Sequence, residues 1–359
     1  GCFYVESPAM RMLMAKLQTS NYLELVAASS VIRPGVSSSG MMKAYIDRHR
    51  DPSRRAEANP ELLRILPETY GVMVYQEDVI RVAHEYAGLS LAEADVLRRG
   101  MSGKFRSRTE FQAVETQFFT NCAQRGYAPE ESREIWRQIE SFAGYAFAKG
   151  HSASYAVESF QSLYLKAYFP VPFMVANVNN GGGYYRAEHY LQEARRHGAR
   201  IESPCINDGR TFTVLRQGLR VILGTDRIRS FDAEFGHRID RARQEGGPFS
   251  DFDDFVDRLH RPGEPIPLEA LLLLIRAEAF RFTGRPARTL LWAAHRRLGH
   301  RPPPAPGPSL FDSAMPLKSA YAAIPELKTS DLERSYEQIE LFGFPLCDPF
   351  TLFEIPEIQ

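Results

Sequence analysis

The sequence predicts a mainly α-helical protein interrupted once by a small strand-containing segment. Three observations carry this expectation. Helical apolar spacing with cap signals dominates residues 1–180, short β-patterned runs appear only between about 201 and 222, and short helical patterns return from 226 to 297. At 359 residues the chain is too long for one ordinary core, so about two or three domains are expected.

Taken in order, Ser7 before Pro8 marks a helix start, because the hydroxyl can cap and proline tolerates the first turn. Val79, Val82, Ala83 and Tyr86 stand at i, i+3, i+4 and i+7 and form one apolar face, which Gly88 ends as a left-handed stop. Ser90 and Glu93 then form a capping box for the next helix. Gly126 and Gly144 close two further helices, and an aromatic-rich helix beginning near Ser152 is stopped by Pro170. The cluster Gly181 to Gly183 breaks the pattern. A helix from about Ala187 to His197 leads to a strand around Ile201 and to the runs Thr211 to Leu215 and Leu219 to Ile222, parted by Arg216-Gln217-Gly218. From Asp226 to Arg297 the helices are short, with Ser250 and Asp253 bracketing one start and Pro262 to Pro267 joining two. Arg301 to Pro308 reads as an extended, proline-rich linker before a last helix from about Asp331 to Phe342. The expected divisions are 1–180, 181–225, 226–300 and 301–359.

Composition narrows the function classes. Lys and Arg number 44 against 44 Asp and Glu, which argues against a uniformly basic nucleic-acid coat and leaves room only for a basic patch or groove. The four cysteines lie far apart without C-x-x-C spacing, so neither a zinc site nor a disulfide framework is expected, and a reducing cytoplasmic setting is. No apolar run approaches the roughly 18 residues that span a bilayer. The chain begins Gly1-Cys2-Phe3 and is expected to be an internal piece of a longer polypeptide.

Against this balanced background one stretch is strongly cationic. Arg98, Arg99, Lys104, Arg106 and Arg108 follow one another without an Asp or Glu, at the end of an apolar helical pattern. Such a block invites phosphate, although the same block out of context is most often a solvated helix end. Lys149, His151 and Ser152 open the aromatic-rich helix, where a cation, a hydroxyl and helix N-terminal amides could converge on an anion. A histidine there is otherwise a surface or capping residue. Arg33-Pro34-Gly35 by itself is a turn signal.

The blocks Gly1-Cys2-Phe3-Tyr4-Val5-Glu6-Ser7, Arg33-Pro34-Gly35, Tyr70-Gly71-Val72-Met73-Val74-Tyr75-Gln76-Glu77, Leu97-Arg98-Arg99-Gly100-Met101 and Phe142 to Ala156 stand in an order that resembles the fingers region of the bacterial replicative DNA polymerase III alpha subunit, the C-family polymerases. The likeness covers about residues 1 to 300. It implies a multi-helix fingers domain, a small strand-containing connection and a helix-hairpin-helix module, followed by the start of a clamp-binding region. It also implies that Arg98 and Arg99 grip the triphosphate of an incoming dNTP, with Lys104 in the same loop and with Lys149, His151 and Ser152 contributing. Arg33, Arg106, Arg108, Arg227 and Arg229 are the implied contacts to primer-template DNA. Tyr75, Gln76 and Glu77 are expected to pack and cap a helix. The catalytic Mg2+ ions of the family belong to a palm domain that nothing in this chain resembles, so no catalytic or metal-binding residue is expected here. Other replisome subunits would be reached through regions outside the chain, and no membrane is involved.

Departures from the family pattern carry expectations of their own. Where a glycine-containing hairpin is usual, this chain has Ile228-Arg229-Ser230-Phe231-Asp232-Ala233, so the hairpin should keep its packing and lose DNA grip at Asp232, with Arg227 and Arg229 compensating in part. The basic character near Gly103 is weakened, and Ala148 replaces an Asn before Lys149. Gly307-Pro308-Ser309-Leu310-Phe311 resembles the sliding-clamp peptide but lacks its leading Gln, so two readings stand for Ser309, Leu310 and Phe311: clamp binding, or docking on their own domain. Two alternatives to a replicative polymerase fragment are a non-catalytic adaptor between DNA and clamp and an error-tolerant repair polymerase of the same family.

Overall fold

A computed structural model of the chain describes residues 1–32, 39–101, 108–141, 148–299 and 329–352. Two compact units part between Tyr168 and Phe169. The fold is mainly helical, with one small three-stranded sheet. Among the described residues no helix is long and apolar enough to cross a membrane.

The first unit is all-helical. Its described helices are α1 (Pro8–Leu17), α2 (Tyr22–Val31), α3 (Met41–Arg50), α4 (Pro60–Ile65), α5 (Gln76–Arg81), α6 (Leu91–Met101), α7 (Arg108–Gln124), α8 (Pro129–Glu140) and α9 (Lys149–Tyr168). The start of α1 follows the sequence: the Ser7 side chain accepts from the Met10 amide, and Pro8 fills the first turn. The apolar run of α2, Leu25 to Val31, is wholly buried and includes Ser29 and Ser30. Its small residues let α9 approach closely, so the hydroxyls of Ser30 and Ser152 meet across the contact.

Val79, Val82, Ala83 and Tyr86 are fully buried as their spacing predicts, but the helix does not run evenly through them. After Arg81 the chain widens into a π-helical turn, Val82–Tyr86, that carries Tyr86 into an aromatic cluster. Tyr86 stacks on Tyr127 with ring centroids 4.1 Å apart, and Phe118 meets Trp136 at 5.0 Å. Gly88 takes φ +65°, the left-handed stop expected of it. The stop assigned to Gly144 lies outside the described residues.

The second unit opens with α10 (Pro170–Asn180), where proline starts a helix as well as ending one. Val171, Met174 and Val178 of α10 are buried with Tyr190 and Leu191 of α11 (Ala187–Arg196), which draws α10 into this unit and puts the division ahead of the glycine cluster. The sheet has order β1-β3-β2, with β1 (Arg200–Glu202) parallel to β3 (Arg220–Ile222) and β2 (Val214–Arg216) antiparallel to it. Ile201 pairs with Val221 and Leu215 with Val221, so the apolar positions share register.

The strand expected from Thr211 begins only at Val214. Residues before it are held by side chains: Thr211 donates from its amide and its hydroxyl to Asp240 at 2.9 Å each, and the Thr213 amide donates to Asn179 at 2.9 Å. These bonds satisfy the backbone locally and leave no strand partner to seek. The remaining helices are α12 (Ala233–Gly246), α13 (Phe252–Leu259), α14 (Leu268–Arg276), α15 (Ala287–Leu298) and α16 (Asp331–Phe342). The cap of α13 is Asp251 with Asp254, one residue beyond the Ser250 and Asp253 bracket, because the Asp251 carboxylate accepts from the Asp254 amide. Phe252, Phe255 and Phe280 form the centre of the core, meeting edge-on at 4.9 to 5.2 Å.

Candidate functional site

Helix α6 is aimed by its two ends. At its start the Ser90 amide and hydroxyl both donate to Glu93 at 2.7 Å, closing the capping box that the sequence announces. Ala94 and Leu97 are fully buried and fix the inner face. Arg98 and Arg99 therefore fall on the outer side of the last turn, with side chains 38% and 45% exposed. One carboxylate holds both: Asp95 accepts from Arg98 Nε at 2.7 Å and from Arg99 Nε at 3.1 Å.

The first turn of α9 carries Lys149, His151 and Ser152. The Lys149 amide donates to both oxygens of Glu77, at 3.0 and 2.9 Å, so a carboxylate already occupies the helix N-terminus where an anion is favoured. The Lys149 ammonium pairs with Glu68 and lies 5.4 Å from the centroid of the Tyr75 ring. His151 is exposed, its ring centroid 4.2 Å from that of Tyr155. Tyr155 in turn contacts Phe3 and Tyr4 at 5.2 and 5.3 Å, tying the aromatic-rich helix to the first residues of the chain. Ser152 is buried, and its hydroxyl faces Ser30 and not the outer surface.

Helix α5 links α6 to α9. It packs against α6, and its Glu77 receives the first amide of α9. The neighbouring Asp78 is buried and caps α5 itself, accepting from the Val74 and Tyr75 amides at 2.8 and 2.9 Å. Burial pushes its carboxyl up to about 6 in spite of those two bonds and the nearby Lys149. Glu77 and Tyr75 thus cap and pack, as read from the sequence. Lys104, Arg106, Arg33 and the segment Ser309-Leu310-Phe311 lie outside the described residues. Arg108 opens α7, with its side chain also outside the described set.

In the second unit the hairpin keeps its bend without glycine, because Ser230 itself adopts φ +61°. Its arginines are engaged within the fold. Arg227 pairs with Asp226, while the Arg229 amide donates to Leu341 O at 2.8 Å and its side chain to Glu340 O at 3.4 Å. Asp232 caps α12 by accepting from the Glu234 amide at 3.0 Å. A different basic group was not singled out by the sequence reading: Arg238 and Arg241 on α12 face Arg258 and Arg261 across a cleft. The R-x-x-R spacing of Arg238 and Arg241 was the available signal, since residues three apart share a helix face, whereas Arg261 lies in the turn beyond α13. Among the described residues no three His, Cys, Asp or Glu side chains group as candidate metal ligands.

A helical unit with arginines at a capped helix end is followed along the chain by a second unit of short helices around a small sheet, a mainly helical two-unit class of protein. Residues 1–126 match the family described as the bacterial DNA polymerase III alpha subunit finger domain, and residues 198–290 match the helix-hairpin-helix motif. The chain belongs to the bacterial DNA polymerase III alpha-subunit family. It is 31% identical to the DNA polymerase III subunit alpha of Staphylococcus aureus (strain MRSA252) over 371 aligned positions, covering 100% of this chain and 34% of that protein. It is 35% identical to that of Thermus aquaticus, covering 83% of this chain and 25% of the relative, and 33% identical to that of Saccharopolyspora erythraea, covering 81% and 24%. The chain thus spans about a quarter to a third of the length of these relatives.

Proposed function

We propose that the chain acts within a longer alpha polypeptide as the part of a DNA-directed DNA polymerase that holds the triphosphate of the incoming dNTP and contacts primer-template DNA during replication in the cytoplasm. The observation that carries the reading is the pairing of Arg98 and Arg99 on one exposed carboxylate at the end of α6, beside the helix that also receives the first turn of α9. Exposed ion pairs of this kind hold about 0.2–1 kcal/mol. Charge-assisted contacts to a phosphate are worth about 1.5–3 kcal/mol, so a triphosphate would draw the guanidiniums off Asp95, or share them with it. In the mechanism, Arg98 and Arg99 orient the phosphates in line with the primer end and spread the charge of the leaving pyrophosphate. Lys104 belongs to the loop after them. Lys149 adjoins the same linking helix through Glu77, Ser152 ties α9 to α2 through Ser30, and His151 would add its imidazole from the same turn of α9. Mg2+ bound by palm carboxylates outside this chain would supply the two-metal chemistry, and no step through a metal is assigned to the residues here. Ser309, Leu310 and Phe311 would offer a sliding clamp its peptide, and other replisome subunits would meet parts of the polypeptide outside this chain.

In a complete alpha subunit carrying this sequence, Arg98→Ala and Arg99→Ala should each raise the nucleotide KM or lower turnover by about 10- to 100-fold, with a much smaller change in DNA affinity. Unchanged KM and turnover in both variants would remove the two arginines from the site. A non-catalytic adaptor is the second reading, and the engagement of Arg227 and Arg229 within the fold favours it. Primer extension by the complete polypeptide would dispose of it.

A further inference from the structure

We infer that the cleft between α12 and the end of α13 is a phosphate site for the DNA backbone, to which the grip has moved from the hairpin at residues 228–233. The inference rests on the reading of this chain as a DNA-contacting module. It adds a location and a set of side chains that neither the family pattern nor the sequence reading marked.

The cleft measures about 150 Å³, several times the roughly 30 Å³ that a water molecule occupies in the liquid. Arg238, Arg241, Arg258 and Arg261 line it together with Glu245 and Glu264, and Arg258 and Arg241 pair in addition with Asp254 and Glu234, so the cleft gathers four guanidiniums whose donors exceed what these carboxylates take up. Two of the arginines build the frame. Arg238 donates to Leu259 O and to Glu264 O, and Arg258 donates to Ala242 O and Gly247 O while its guanidinium lies 4.1 Å from the Phe249 ring centroid. Both side chains are only 20% exposed, so they are fixed in place and lose little freedom when a ligand arrives.

The other two have their heads toward solvent. Arg241 is 62% exposed and meets Glu234 at 3.0 Å in a pair whose partner is 73% exposed. Arg261 is exposed and donates from Nε to Arg258 O at 3.0 Å. Each guanidinium has five donors, and these contacts use only part of them. The turn that carries Arg261 is closed by the reciprocal bonds Arg261 N to Glu264 O and Glu264 N to Arg261 O, with Gly263 at φ +82°. An anion at the mouth of the cleft would therefore meet two mobile guanidiniums above two fixed ones.

The hairpin offers fewer guanidiniums. Asp226 neutralises Arg227, the Arg229 amide is spent on α16, and Asp232 places a carboxylate at the start of α12. Backbone phosphates thus meet four guanidiniums converging on one cleft and only two at the hairpin.

Binding of duplex DNA by the 359-residue chain, titrated from 50 to 200 mM salt, tests this. Arg241→Ala with Arg261→Ala should weaken binding about tenfold and flatten the log K against log salt slope by about 2, since each phosphate contact contributes about 0.9. Arg241→Lys with Arg261→Lys should restore most of the slope, which a purely structural role would not predict. Thermal melting of each variant checks folding, and the pair Arg241→Gln with Arg261→Gln serves if the alanine pair melts early. An unchanged slope in the alanine and glutamine pairs overturns the inference, as does a larger slope change from Arg227→Ala than from the pair. Wild-type chain that binds tripolyphosphate but no duplex also overturns it. None of these outcomes touches the nucleotide KM of Arg98→Ala and Arg99→Ala, so the cleft and the triphosphate grip fail separately.

Discussion

Asp78 is a carboxyl on α5 whose protonation the fold controls. Its carboxyl is buried, and burial raises it from an ordinary 3.8 to about 6. A carboxyl raised on folding contributes stability that is fully present below about 4 and is lost as pH climbs through about 6, because the folded state then holds an unwanted buried charge. Two pH units correspond to about 3 kcal/mol. Asp78→Asn keeps an oxygen for the Val74 and Tyr75 amides and removes the titration, so the stability of wild type relative to the variant should fall by about that amount between pH 4 and 7. Urea unfolding across that range measures it, and parallel curves for the two proteins would mean that Asp78 stays charged at low cost. Nothing in the sequence marks Asp78 as buried, because an acidic residue two after Tyr-Gln looks like any first-turn acid; its burial follows from tertiary packing. By contrast Arg98 and Arg99 were legible, since their position after Ala94 and Leu97 dictates the outer face. Ser152 was legible as a position on α9 but not as a buried hydroxyl, because its partner Ser30 is 122 residues away.

At the scale of elements, the ends of helices were written more plainly than their interiors. Ser7, Ser90 with Glu93, and Ser330 with Glu333 cap by short-range hydrogen bonds that the sequence contains in full. The π-helical turn at Val82–Tyr86 was hidden, since its apolar spacing is also that of an ordinary helix and the widening comes from seating Tyr86 on Tyr127. The short strands and the start of α13 were shifted by one to three residues, where side chains of Thr211, Thr213 and Asp251 compete with backbone pairing. Gly88 joins both lessons. It ends the π-helical turn at φ +65°, and a Cβ there would strike the Arg125 guanidinium at 2.3 Å. Arg125 Nη1 donates to Glu85 O and Tyr86 O, both at 2.8 Å, so it satisfies the carbonyls that the turn leaves open. Gly88→Ala should therefore lose the left-handed penalty of about 1–2 kcal/mol and part of this cap as well. Gly126→Ala, at φ +79° with nothing within 4 Å, should lose only the first. Thermal melting that ranks the two equally would show that the Arg125 contact holds nothing.

At the scale of the whole molecule, the helical character, the single sheet and the family likeness were all legible, because periodicity, turn chemistry and ordered motifs are local properties. The place where the units part was not, because α10 belongs to the second unit through Val171, Met174 and Val178 meeting side chains from later in the chain. The same limit governs chemistry. Phosphoryl transfer in a polymerase needs two divalent ions held by converging carboxylates, which activate the primer hydroxyl and neutralise the departing pyrophosphate. Four of the acidic residues have other partners: Asp95 holds two arginines, Glu77 caps α9, Asp78 caps α5, and Glu202 is kept low by its bonds to Arg220. Positioning without metal ligation lowers the entropic part of a barrier only when the reacting groups are supplied from elsewhere. The purified 359-residue chain, given Mg2+, primed template and all four dNTPs, should therefore give no extension in an assay that readily detects a complete alpha subunit. It should still retain salt-sensitive affinity for the primed duplex under the same conditions. Template-dependent extension by the chain alone would place a metal centre within it, and would make its arginines part of a complete active site.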